Sequence, residues 1–138
     1  MGNNLIEKLY NLKKSQIEQK LIEKASLQQE IYQIDESVEK FTQDINTATV
    51  QKLGSISDFM ILSMHKNSIR YEITKLIKRK NELLKKVEAL FLEIIELQKE
   101  SEQYKYILEE EKEERRKAKM HDEMLQNEEF IQSSYIRG

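Results

Sequence analysis

Proline, cysteine and tryptophan are absent from this 138-residue sequence, and glycine occurs only three times. Because proline and glycine are the residues that most often interrupt helices, a chain whose one internal glycine is Gly54 has little means of turning. The absence of cysteine excludes disulfide bonds, cysteine-ligated zinc and a thiol nucleophile. Aromatic residues make up only 7% of the chain, so a compact globular core is not expected.

The chain also lacks a long apolar run and an excess of charge of one sign. No stretch approaches the roughly 18–20 apolar residues of a membrane span, and the opening MGNNLIE has no secretion-signal pattern. The formal net charge is −2, so no general attraction to nucleic acid or anionic lipid is expected. We therefore predict a soluble, intracellular protein that neither binds nucleic acid nor inserts into a membrane.

Charged residues form 35% of the sequence, which together with many Leu and Ile residues is typical of coiled coils. The first apolar residues, Leu5, Leu9 and Leu12, are followed by a change of phase near Gln16. A heptad series then comprises Leu27, Ile31, Ile34, Val38, Phe41, Ile45 and Ala48. This spacing of four and three predicts a first helix over about residues 4–48.

A turn is predicted over about residues 49–57, where helix-weakening residues gather in the sequence TVQKLGSIS. Gly54 can adopt the left-handed conformation that ends a helix. Ser55 and Asp58, three residues apart, can form a reciprocal cap for the next helix.

The second helix, predicted over about residues 58–130 with a frayed tail over 131–138, carries the clearest periodic signal. Its heptad positions are Phe59, Leu62, Lys66, Ile69, Ile73, Leu76, Lys80, Leu83, Val87, Leu90, Ile94, Leu97, Ser101, Tyr104 and Leu108. Three of these positions, Lys66, Lys80 and Ser101, are polar. Such residues either fix the register of a coiled coil or point their polar ends outward.

Two helices joined by a short connection normally pack antiparallel. We therefore predict one all-α domain over residues 1–138, an antiparallel two-helix coiled-coil hairpin. Its longer second helix overhangs at the terminal end beyond about Leu108. The overhang, about residues 109–129, is densely charged, and pairs such as Glu111 and Arg115 should each stabilise its helix by about 0.2–0.5 kcal/mol.

No residue set predicts an enzyme, and we expect no catalytic, cofactor-binding or metal-binding residue. A two-helix hairpin offers no pocket in which to desolvate a nucleophile. His121, Asp122 and Glu123 are consecutive, so on a helix their side chains point about 100° apart and cannot converge on one ion. An ordinary solvated helix face explains them better.

A second apolar row flanks the heptad positions of the second helix. Ile77, Leu84 and Phe91 recur every seven residues. Leu92 and Ile95 widen the stripe. An uncovered stripe of this kind often marks an interface, although the row could instead lie beneath Lys and Glu side chains. The neighbouring residues 66–86 include eight basic and two acidic residues, a composition that suits a solvated face or a dock for an acidic protein.

Three motifs carry a resemblance to a known family: LYNLKKSQI near the start, GSISD before the second helix, and RRKAKMHDEML near the end. The last motif contains Arg115, Arg116, Lys119, Asp122 and Glu123 in a basic helix that closes on Lys-x-x-Asp-Glu. On these motifs and on its length, the chain resembles the FliJ family. These are small coiled-coil stalk proteins of flagellar type III export, related to the stalks of virulence secretion systems.

The resemblance implies a non-enzymatic stalk whose terminal end enters the hexameric export ATPase, stimulates it and links it to the membrane export gate. Such a protein is cytoplasmic and peripherally associated with the inner-membrane export apparatus, and export chaperones are among its partners. The candidate ATPase-binding residues are Arg115, Arg116, Lys119, Asp122 and Glu123. The candidate lateral contact to the gate comprises Ile77, Leu84, Phe91 and Ile95.

Two other functions stay open on the sequence. A structural coiled coil that self-associates would bury the lateral apolar row in a four-helix bundle, whereas a stalk should be monomeric. A helical-hairpin chaperone for exported clients would need apolar residues exposed at its free end, where this sequence is densely charged.

Overall fold

The computed structural model describes residues 2–48 and 55–137, which form two helices. Helix α1 runs over Gly2–Thr47 and helix α2 over Ile56–Arg137. The two helices pack against each other, α2 is the longer, and no strand occurs in either described range. The predicted all-α hairpin is therefore confirmed. Gly54 and most of the predicted turn lie outside the described residues.

Both helices extend further than the sequence analysis predicts. Helix α1 begins at Gly2, and α2 begins two residues early and continues to Arg137. The predicted frayed tail over 131–138 is therefore wrong as far as residue 137. The prediction relied on apolar periodicity, which reports packing rather than helix formation. Between Ile56 and Arg137 no Pro or Gly interrupts the backbone, so an established helix propagates through residues that pack against nothing.

The start of α2 is set by a reciprocal cap between Ser55 and Asp58. The backbone N–H of Ser55 donates to Asp58 Oδ2 at 3.1 Å, and the N–H of Asp58 donates to Ser55 Oγ at 3.4 Å. The Asp58 carboxylate gives the Ser55 amide an acceptor, and Ser55 Oγ is a second acceptor for the Asp58 amide, which also donates to the Ser55 carbonyl at 3.0 Å. The predicted capping box is confirmed. Because Ser55 is the cap, the helix starts at Ile56 rather than near residue 58.

Contacts between the helices fall into two compact units, one of residues 18–94 and the other of residues 1–17 with 95–138. In the first unit Leu83 is fully buried. The other buried apolar residues of this unit are Ile34, Ile69, Leu90 and Ile94. All five are predicted heptad positions, so the heptad assignment of this unit is confirmed at its centre. Phe59, at the beginning of the series, is instead 58% exposed.

Ion pairs show that the helices of this unit are antiparallel. Lys20 Nζ lies 3.0 Å from Glu93 Oε2, whereas Glu30 Oε1, further along α1, lies 3.2 Å from Arg79 Nη2, earlier in α2. Lys80, one of the polar heptad positions, places its Nζ 2.6 Å from Asp35 Oδ1 of α1. An interhelical pair at such a position ties the register of the two helices together.

The predicted change of phase in α1 is wrong. Leu5 and Leu12 are 62% and 51% exposed, while Lys13 and Lys24 are half-buried. One series with alternating spacings of four and three instead runs from Ile6 to Leu27. Its other members are Tyr10, Lys13, Ile17, Lys20 and Lys24, and all of these residues are half-buried. The aliphatic stems of lysines occupy heptad positions here, because a lysine can cover apolar surface while its ammonium reaches solvent or a carboxylate.

In the second unit Lys13 of α1 forms an ion pair with α2. Lys13 Nζ lies 2.5 Å from Glu100 Oε2, and hydrogen bonding to that carboxylate raises the pKa of the lysine above its ordinary value. In the other unit Glu93 raises the pKa of Lys20 in the same way. Ser101, which follows Glu100 in α2, is only 7% exposed. This polar heptad position therefore faces the packed side of α2. Lysine stems and a small serine thus line the contact in this part of the hairpin.

Candidate partner-binding surfaces

The most distinctive surface of the second unit is the final part of α2. From residue 112 to residue 136 every side chain is exposed, although the backbone remains helical throughout. We call residues 112–136 the terminal extension. All five candidate ATPase-binding residues of the sequence analysis lie in it.

These five residues share one side of the extension. At about 100° of rotation per residue, Arg115, Lys119 and Asp122 lie along one line of the helix. Arg116 and Glu123 lie along the neighbouring line. Together the five span roughly a third of the circumference, and we call this surface the charged arc. The structure therefore brings the predicted residues onto one face.

Arg116 is fixed along the helix surface by its neighbours. Its Nη2 lies 2.6 Å from Glu113 Oε1 and its Nε donates to Glu113 Oε2 at 3.0 Å, which makes a two-point contact. Its Nη1 lies 3.1 Å from the Met120 sulfur. The hydrogen bond lowers the pKa of Glu113 and raises that of Arg116. The guanidinium is thus held in a defined position, with one edge engaged by its own helix.

A second surface of the extension escaped the sequence analysis. Met120, Met124, Ile131 and Tyr135 follow one another at intervals of four, seven and four, which places them on one helical face. Their side chains are 49%, 59%, 59% and 87% exposed. We call these four residues the apolar stripe. The spacing was available as a signal, but residues from 131 onward had been interpreted as a frayed tail.

The lateral row of α2 lies in the unit of residues 18–94. Ile77, Leu84 and Phe91 are 44%, 45% and 48% exposed. The ammonium of Lys24 lies 5.0 Å from the centre of the Phe91 ring, a cation–π distance that covers part of that ring. Ile95, the fourth predicted member, is half-buried. The exposed apolar row therefore consists of Ile77, Leu84 and Phe91, and we keep the name lateral row for these three.

Basic residues of the stretch 66–86 are only partly neutralised. In the described part of the chain, Arg79 and Lys80 form its salt bridges to acidic residues. Arg70 donates instead to Asn67 Oδ1 at 2.9 Å, and Lys75 lies 5.9 Å from the centre of the Tyr71 ring. Exposed positive charge at Arg70, Lys78 and Lys85 therefore lies near the lateral row.

Within residues 2–48 and 55–137, no group of three or more His, Asp or Glu side chains is arranged to hold a metal ion. None of the helical segments that the structure describes is both long and apolar enough to cross a membrane. Comparisons with models of protein families, with curated proteins and with solved structures found no match. Fold and surfaces together define a class, an all-α helical hairpin with an exposed terminal extension.

Proposed function

We propose that this chain is a non-enzymatic stalk of a flagellar or related type III protein export apparatus. In this role it binds and stimulates the hexameric export ATPase and links it to the membrane export gate. The observation that carries the proposal is the terminal extension, an exposed helix that bears the charged arc. The extension is also where the resemblance to the FliJ family is most specific, in the motif RRKAKMHDEML.

The charged arc is suited to a partner that presents acidic loops around a central opening. Arg115, Arg116 and Lys119 present cations on one side of a helix that is already formed. A preformed helix loses less conformational entropy on binding than a segment that must fold. Asp122 and Glu123 end the arc with negative charge, so the arc has a polarity that can orient the helix in a ring.

The lateral row is the proposed contact to the export gate. Ile77, Leu84 and Phe91 are about half exposed and belong to the other unit, so a gate protein would use residues different from those that the ATPase uses. On this proposal the chain acts in the cytoplasm at the inner-membrane export apparatus. Export chaperones are further partners.

Co-purification with the hexameric export ATPase of the same organism tests the proposal. We expect the wild-type chain to retain the ATPase and to raise its rate of ATP hydrolysis. The double variant Arg115→Glu/Arg116→Glu should lose both effects, because it reverses two charges of the arc.

A matched control is the double variant Lys99→Glu/Lys105→Glu, which reverses two exposed lysines of α2 before the extension begins. It should bind and stimulate like the wild type. Equal stimulation by all three chains, or no retention by the wild type, would contradict the proposal.

One observation favours a second function. The apolar stripe exposes Met and aromatic side chains near the end of α2, as a helical-hairpin chaperone for exported clients requires. That function predicts that Ile131→Glu abolishes suppression of client aggregation. The stalk function predicts that the wild-type chain does not suppress aggregation of unfolded proteins at all.

A further inference from the structure

The two flanks of α2 differ in the unit of residues 18–94. One flank contains Arg79 and Glu93, which form ion pairs with α1. The opposite flank contains the lateral row, Ile77, Leu84 and Phe91, which α1 leaves about half exposed. The exposed cations beside the row are Arg70, Lys78 and Lys85, and in the part of the chain that the structure describes none of them forms a salt bridge. Glu88 is the acidic residue on this face.

The apolar stripe has the opposite charge around it. Residues 120–136 contain four acidic residues and no Lys or Arg. Glu128 lies on the same helical face as the stripe, between Met124 and Ile131, and Glu123 lies beside that face. The extension therefore ends in an acidic helix with an uncovered apolar stripe, and Leu125, Phe130 and Ile136 are exposed apolar residues outside that stripe.

We propose that the apolar stripe of one copy docks on the lateral row of a second copy. Both surfaces are apolar, and their charges are complementary, with Lys78 and Lys85 available to Glu123 and Glu128. Their lengths also agree, because the row spans about 21 Å along its helix and the stripe about 22 Å at 1.5 Å per residue. This is binding of an amphipathic helix along an apolar face with a charged rim.

A second copy is the occupant that fits these observations. Row and stripe both belong to the uninterrupted helix α2, so one chain cannot lay its stripe on its own row without breaking that helix. Two lateral rows packed on each other would bring together two faces that each carry the exposed cations Arg70, Lys78 and Lys85 against the single carboxylate of Glu88. This excess of like charge disfavours a symmetric bundle of rows.

The contact goes beyond the proposed function and would regulate it. The docked stripe lies in the same terminal extension as the charged arc, so a docked extension is hindered from entering a ring. A contact made by one face of a single helix buries less surface area than a stable protein–protein interface does. We therefore expect a dissociation constant on the order of 10–100 µM. Self-docked chains would then serve as a reserve that dilution or a tighter partner releases.

Sedimentation equilibrium of the full chain tests the proposal. We expect self-association that weakens as salt is raised, since the charged rim is exposed. Ile131→Glu and Phe91→Glu should each weaken the association about tenfold or more, because each places a charge in an apolar contact. The side chains of Phe91 and Ile131 are 48% and 59% exposed, so neither change should disturb the fold, and far-UV circular dichroism verifies this. Ile61→Glu, at an apolar position that is 65% exposed and outside both surfaces, is the matched control and should associate like the wild type.

A charge exchange sharpens the test. Lys78→Glu/Lys85→Glu and Glu123→Lys/Glu128→Lys should each associate poorly alone, and mixing the two variants should restore association. A chain that stays monomeric at low salt would overturn the proposal. Association that survives Ile131→Glu would also overturn it and would point to paired lateral rows. Binding of the ATPase is measured separately at dilute concentration, so failure here leaves the proposed function untouched.

Discussion

Helix α2 passes through two environments without changing its secondary structure. Its buried residues fall between Ile69 and Ser101, whereas from residue 112 to residue 136 every side chain is exposed. The first stretch is helical and packed, and the second is helical without packing on its own chain. The heptad pattern determines where α1 covers α2, while the absence of Pro and Gly between Ile56 and Arg137 determines how far the helix continues.

Different forces stabilise the two stretches. Burial of apolar side chains such as Leu83 stabilises the packed stretch. The terminal extension depends on local contacts such as the two-point contact between Glu113 and Arg116. Local contacts of exposed residues are weak. The extension should therefore be the first part of α2 to open.

The largest expected difference between the two stretches comes from truncating a leucine in each. Leu83→Ala should lower the free energy of unfolding by about 2–5 kcal/mol, because the side chain is fully buried. Leu125→Ala, at a position 45% exposed in the extension, should change it by less than about 0.5 kcal/mol. Urea denaturation of both variants measures this. Similar losses would mean that the extension is packed in solution.

Removal of the cap at the start of α2 should lower the free energy of unfolding by a smaller amount. Ser55→Ala removes the side-chain oxygen that accepts from the Asp58 amide, while the bond of that amide to the Ser55 carbonyl remains, and should cost about 0.5–2 kcal/mol. Ser63→Ala, at an exposed position inside α2, is the control and should be neutral or slightly stabilising. Thermal unfolding of the two variants separates loss of the cap from loss of a hydroxyl. A neutral Ser55→Ala would show that α2 does not depend on this cap.

An apolar residue at a lysine heptad position should stabilise the packed stretch. Lys24→Leu extends the apolar contact of α1 and should raise the free energy of unfolding by up to about 1 kcal/mol. The change also removes the cation over Phe91, so part of the gain is lost. Lys40→Leu, at an exposed position of α1, should give no gain. A loss on Lys24→Leu would indicate that the lysine is required for the packing.

The smallest expected effect is the response of the extension to acid. The pKa of Glu113 lies below its ordinary value of 4.5 because Arg116 hydrogen-bonds to it. The ionised Glu113 therefore stabilises the helix of the extension fully above pH 4.5. The contribution is lost as the pH falls through the lowered pKa. Nuclear magnetic resonance shifts of residues 112–117 should therefore report a loss of helix at acidic pH. Glu113→Gln should lack this step, and an identical step in the variant would assign it to another group.

The sequence predicted the packed stretch well because covered positions of α2 are strongly periodic. The buried heptad positions from Ile69 to Ser101 and the Ser55–Asp58 cap both follow from the spacing of residues in the sequence. The phase of α1 was mispredicted because Lys13 and Lys24 were counted as polar, although their stems pack while their ammonium groups reach outward.

The candidate sites were only partly predictable. Residues of the charged arc could be placed on one face from helical geometry, and their exposure follows from the lack of a covering partner in α1. The apolar stripe does not emerge from the sequence because two of its four members, Ile131 and Tyr135, lie in the predicted frayed tail. Partner identity does not follow from periodicity, since an exposed helix face shows the chemistry of a partner and not its fold.

The central claim is that packing of α1 on α2 holds the fold while the terminal extension engages the ATPase. Hydrogen exchange of the full chain, with and without the hexameric export ATPase, tests it most directly. We predict slow exchange between Ile69 and Ser101 and fast exchange over 112–136 in the free chain, with the ATPase protecting 112–136. Equal protection of both stretches in the free chain, or no protection of 112–136 by the ATPase, would contradict the claim.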